Sequence, residues 1–145
     1  LGLHHFLHPL LLGHAFAAYI DPACRLEALR NDLSLLGAPV PTVPVAVNLP
    51  STREAAIGVL YVLLGAHLGS LMIAKQLATH RDASIRQANH FYGKQAHQGL
   101  QDWQTYLQSL DTHVVTVPAQ TQVISAAIAT FALIETALTH SEAPT

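Results

Sequence analysis

The run Ala55–Ala74, AAIGVLYVLLGAHLGSLMIA, constrains this chain most. It carries no charge over twenty residues and is flanked by Arg53 and Lys75. Such a segment belongs in a protein core or in a bilayer, because its length would suffice to span one. The spacing Gly65-x-x-x-Gly69 also matches a packing motif of membrane helices. Yet Gly58, Gly65 and Gly69 each cost about 1 kcal/mol relative to alanine inside a helix. The glycines therefore need a reason.

On a helical wheel the three glycines fall within roughly 60° of one another. Tyr61 and Met72 join that side, and Ala66 and Ser70 sit at its margin. Glycine lacks a β-carbon, so a second object can press directly on the backbone there. Three objects fit: a neighbouring helix, a membrane partner helix, or a flat cofactor such as a porphyrin. His67 lies about 200° from Gly65 and points away from the smooth face. It reads as a histidine packed between helices, and a polar group there weakens the membrane reading.

Half of the 145 residues are hydrophobic and 11% are charged, enough for one domain with a large core. The net charge of -2 gives no electrostatic reason to expect nucleic acid. The only cysteine, Cys24, permits no internal disulfide, so a reducing, cytoplasmic setting is expected. The start, LGLHHFLHPLLLG, lacks a basic leader region and does not read as a signal peptide. No nucleophile elbow, paired carboxylates or H-E-x-x-H pattern is present.

Apolar spacing predicts an all-α chain. A first helical segment covers about 3–12, with Pro9 kinking it. A second runs from Pro22 to Leu36, capped by Asp21, with Leu26, Leu29, Leu33 and Leu36 as its buried stripe and Gly37 as its stop. Residues 38–50 read as an extended connection with Val43, Val45, Val47 and Leu49 turned inward. Ser51–Glu54, STRE, is a capping box opening the long helix to about Thr79. Asp82 caps a short helix through Phe91, closed by Gly93. Further helices span about Gln95–Leu110, burying Leu100, Trp103, Leu107 and Leu110, and about Pro118–Thr139. The last buries Val123, Ile124, Ala127, Ile128, Phe131, Ile134 and Leu138.

Four of these segments together resemble the bacterial haem oxygenase family. IGVLYVLLGAHLGS resembles its distal-helix motif through Gly58, Leu60, Tyr61, Val62, Leu63, Gly65, Leu68 and Gly69. RLEALRNDLSLLG resembles another family helix through Arg25, Leu29, Asp32, Leu33, Leu36 and Gly37. HFYGKQAHQGLQDWQTYLQSL matches at Phe91, Tyr92, Gly93, Trp103, Tyr106 and Leu110, and AAIATFALIETAL at Ala127 and Phe131. Their order over Arg25–Leu138 makes the set specific.

The resemblance implies a single-domain helical fold over 1–145, with haem sandwiched between a proximal and a glycine-bearing distal helix. It implies oxidative cleavage of haem to biliverdin, carbon monoxide and ferrous iron. Oxygen and an external reductant, from a reductase or ferredoxin, would be required. His4 is the implied iron ligand, within His4-His5-Phe6-Leu7-His8, and His5 and His8 are the alternatives. A solvated histidine cluster, or zinc on His4 and His8, is the competing reading of those residues. Gly65, Gly69, Ala66 and Ser70 are the implied catalytic set. Tyr61, Met72 and Phe131 are the implied apolar haem contacts, with core packing as their alternative. Lys94 and Arg86 are candidates for the propionates, and both read equally as solvated charge.

Three departures stand out. The family's glutamate before the first distal glycine is Leu64, and the polar residue after it is Ala66. Ser70 replaces the second glycine of a pair. These motivate a non-catalytic haem or bilin carrier as the alternative function, and a membrane or scaffold bundle as a further one. The part before Arg25 is expected to be shortened, with joins near Gly13–His14 and Ala23–Cys24.

Overall fold

The structure is a computed structural model that describes Leu10 and residues 22–40, 47–96 and 99–141. Every regular element among them is helical, as the apolar spacing predicts. The helices are α1 (Pro22–Leu35), α2 (Arg53–Ala78), α3 (Ala83–Gln87), α4 (His90–Ala96), α5 (Gly99–His113) and α6 (Val117–Ser141). The expectations for the first helical segment, Asp21, Val43 and Val45 lie outside the described residues. Two compact units emerge: one holds described residues 47–63 and 108–141, and the other holds 22–40, 64–96 and 99–107.

In the first unit, the start of α2 packs against α6. Thr52, rather than Ser51, caps α2: its hydroxyl accepts from the Ala55 amide at 3.2 Å. The cap thus sits one residue later than the STRE signature suggests, and Glu54 pairs with Arg53. Residues 55–60 are all buried. Gly58 explains why: a β-carbon there would fall on the Val123 carbonyl oxygen and lie 2.8 Å from Ala126 Cβ. Two backbones come this close only where side chains are small or absent.

That approach overturns the buried face expected for α6. The buried positions are Val123, Ala126 and Thr130, spaced for one helix face. Ile124, Ile128, Phe131 and Leu138 are exposed. α6 packs through its small residues because Gly58 offers a close seat, and its larger side chains then point elsewhere. Buried Thr130 satisfies its hydroxyl by donating to the Ala126 carbonyl at 2.7 Å.

In the second unit, α1 ends as expected. Gly37 adopts φ 64°. The Ala38 amide reaches back to Leu33 O at 2.9 Å and the Gly37 amide to Ser34 O at 3.1 Å. This is a Schellman stop, which favours glycine at its left-handed residue. The leucine stripe of α1 turns inward only in part, with Leu26 and Leu33 half-buried. Ala28 and Asp32 are buried, whereas Leu29 and Leu36 are exposed.

Asp32 is inside because it serves another helix. Its Oδ1 accepts from the His90 amide and its Oδ2 from the Phe91 amide, both at 2.9 Å. Those are amides of the first turn of α4, which have no partner within their own helix. Its Oδ1 also lies 2.7 Å from His90 Nδ1. This cap from a distant segment splits the helix expected over Asp82–Phe91 in two. Asp82 caps only α3, accepting from the Ser84 amide at 2.8 Å. Gly93 lies inside α4 instead of ending a helix.

The buried residues of α5 are Gly99 and Tyr106, with Trp103 half-buried and Leu100 and Leu107 exposed. Trp103 stacks on Tyr106, centroids 5.9 Å apart. α2 and α6 are long and apolar enough to cross a membrane by length and composition. Half of the apolar window of α2 is nevertheless buried within the fold, as for a core helix.

Candidate functional site

The second half of α2 carries the site residues, and its two sides differ. On one side, His67, Ser70 and Ala74 are buried. On the other, Ala66, Leu68, Gly69 and Met72 are exposed. A β-carbon at Gly69 would meet no atom within 4 Å among the described residues. At Gly65 it would meet, among the described residues, only the Trp103 ring edge, at 3.6 Å. The three glycines thus divide by task. Gly58 seats α6, Gly65 rests beside Trp103, and Gly69 leaves bare backbone on an open face.

Around that bare step stand apolar groups. Met72 is 68% exposed and Leu68 44%; Tyr61, about two turns earlier on α2, is 39% exposed. A flat apolar molecule laid on α2 would meet backbone at Gly69 and be flanked by these side chains. The residues present fit a porphyrin for that reason. The structure places Gly65, Gly69, Ala66, Tyr61 and Met72 on this side of the helix. Ser70 is buried instead, its hydroxyl 3.4 Å from the Ala66 carbonyl oxygen. Such back-bonding to the preceding turn loosens and bends helices. Phe131 is exposed on α6, in the other unit. His4, His5 and His8 lie outside the described residues.

The propionate candidates have other engagements. Arg86 Nη1 donates to the carbonyls of His80 at 2.7 Å and Arg81 at 2.9 Å, closing the turn before α3. Lys94 Nζ donates to Cys24 Sγ at 3.3 Å. Among the described residues no cluster of His, Cys, Asp and Glu could hold a metal ion.

Behind the open face lies a polar pair the sequence reading did not join. His67 is 7% exposed, and its Nε2 has no hydrogen-bond partner among the described residues. Arg25 of α1 has Nε and Nη1 in the same state, and its guanidinium lies 5.6 Å from the centre of the Phe91 ring. Burial, and then the Arg25 charge, lower the His67 pKa from 6.5 to about 4. The signal was available: Arg25, Ala28 and Asp32 share a helix face at spacings of three and four.

The sign of the consequence follows from linkage. The unfolded chain takes a proton at His67 near pH 6.5, while the folded chain refuses it until about pH 4. Stability conferred by neutral His67 is therefore complete above pH 6.5 and is lost as pH falls toward 4. The expected loss is on the order of 2 kcal/mol. Urea midpoints at pH 7 and pH 4.5 measure it, and His67→Gln should flatten that part of the profile.

A family model described as heme oxygenase matches residues 25–140. A curated protein named heme oxygenase from Xanthomonas campestris pv. campestris (strain 8004) is 34% identical over 121 residues, which is 83% of this chain and 70% of that protein. No solved structure matches the chain significantly. With a model spanning most of its length and a relative of this similarity, the chain belongs to the heme oxygenase family, whose members are enzymes of haem degradation.

Proposed function

We propose that the chain cleaves haem to biliverdin, carbon monoxide and ferrous iron, with Gly65 and Gly69 forming the wall on which the macrocycle rests. The observation that carries this reading is the bare backbone at Gly69 on an exposed, apolar face. Tyr61 and Met72 hold the macrocycle by apolar contact and exclude water from its plane. When bound, the iron porphyrin supplies the redox chemistry, and the protein supplies orientation and proton access. Electrons come from an external donor of the reductase or ferredoxin class, in a cytoplasmic setting.

His4 is the proposed iron ligand, since neutral imidazole suits haem iron. His5 and His8 are the alternatives. On the opposite side, Leu64–Ser70 offers no carboxylate. His67 is turned into the fold and held neutral, so it delivers no proton to the open face. Protons therefore arrive through water held on the exposed backbone around Ala66 and Gly69. The Ala66 methyl group cannot fix that water as a polar side chain would, which predicts slower turnover than in relatives with a polar residue there.

Hemin titration of wild type and His4→Ala, followed by ascorbate in air, tests the assignment. Wild type should bind hemin with a histidine-type ferric spectrum and then lose its Soret band as biliverdin absorption grows. His4→Ala should lose that ferric spectrum. An unchanged spectrum would remove His4 as ligand and pass the test to His5→Ala and His8→Ala. A Soret band that persists under reductant and air would favour a carrier over an enzyme.

A further inference from the structure

α5 touches the glycine-bearing stretch of α2 at two points, one on its back at His67 and one beside Gly65. Gly99, the first residue of α5, is buried against the His67 backbone. A β-carbon at Gly99 would lie 3.0 Å from His67 Cβ and 3.3 Å from His67 O. One turn further along α5, Trp103 sets its ring edge beside Gly65. The stack of Trp103 on fully buried Tyr106 braces that ring. His67 is midway between Gly65 and Gly69 in sequence, so the Gly99 contact backs this stretch, while Trp103 flanks it at Gly65 and leaves the side at Gly69 open.

Gly65 and Gly69 carry no side chain of their own through which a neighbour could set this position. Between them, at His67, α5 comes against the helix through Gly99. We propose that Gly99 is a positioning residue for the haem wall: its missing β-carbon fixes how far the backbone of residues 65–69 projects toward the macrocycle. It acts through His67, with Trp103 as the second contact. The inference rests on the proposed placement of haem against Gly65 and Gly69.

An added methyl at Gly99 meets a helix backbone, which yields only by shifting. A contact of 3.0–3.3 Å asks for a few tenths of an ångström, and the stretch is free to yield at Gly69, where a β-carbon would meet nothing within 4 Å among the described residues. Small displacements of a reacting geometry carry large rate effects.

The test compares wild type, Gly99→Ala and a control, Gly93→Ala. A β-carbon at Gly93 would meet nothing within 4 Å among the described residues. In the haem-free protein, Gly99→Ala should move the amide resonances of residues 65–69, while the control leaves them in place. In the haem-loaded protein, it should change the ratio of biliverdin isomers and lower kcat about tenfold, with KM nearly unchanged. A Gly99→Ala protein with lowered melting temperature but unmoved 65–69 amides and an unchanged isomer ratio would overturn the proposal. If Gly99→Ala does not fold, Trp103→Phe, which withdraws the outer ring atoms from Gly65, must move the same amides; unmoved amides would again overturn it. Failure of wild type to bind hemin would end the haem reading alone, since the haem-free amides still decide whether α5 sets the wall.

Discussion

Gly58→Ala should destabilise the protein by about 2 kcal/mol or more, although alanine is the better helix former. The intrinsic gain at a helix interior is about 1 kcal/mol. Against it stands a new methyl carbon directed at the Val123 carbonyl oxygen, 2.8 Å from Ala126 Cβ and 3.0 Å from the Ala127 amide nitrogen. Two of those three atoms are backbone, so no rotamer change relieves the contact. Overpacking of a close-packed interior costs about 1–3 kcal/mol and more where backbone must move. Helix α6 would have to withdraw, opening the contact that buries Val123, Ala126 and Thr130. With a typical total stability of about 5–15 kcal/mol, the loss is large. A urea midpoint equal to or above that of wild type would contradict the close seating of α6 on α2.

Gly69→Ala should do the reverse to stability and far more to activity. A β-carbon there meets nothing within 4 Å among the described residues, so the helix gains up to about 1 kcal/mol without a clash. The same methyl projects from the bare step on which the macrocycle is proposed to rest. Tilting or lifting the substrate away from its productive pose is expected to cut turnover by about 100-fold. Thermal denaturation and biliverdin formation on the same preparation separate the two effects. Full turnover in a stabilised Gly69→Ala protein would show that the substrate does not lie on this backbone. Because the two substitutions are chemically identical and sit three turns apart on one helix, together they distinguish packing glycines from substrate-facing ones.

The sequence made the helices legible because their signals are local. Apolar period, Asp82 before α3 and Gly37 after α1 each act within a few residues of themselves. The resemblance to haem oxygenases was legible for a related reason: it rests on residue types at fixed spacing within single segments. The break between α3 and α4 was not legible, because the group that makes it is Asp32, 58 residues away from His90. The buried face of α1 was partly misread for the same reason. A leucine stripe is the better hydrophobic surface, but an aspartate that satisfies two backbone amides of another helix must itself be inside.

What the sequence determined by itself is the helical character of the chain, where several helices stop, its family, and the grouping of three glycines on one side of α2. What only the tertiary structure decided is the task of each glycine: Gly58 under α6, Gly65 beside Trp103, and Gly69 open. Helical period settles which residues share a face. It does not settle which neighbour comes to that face or how near, because closest approach is a property of two surfaces brought together by the fold.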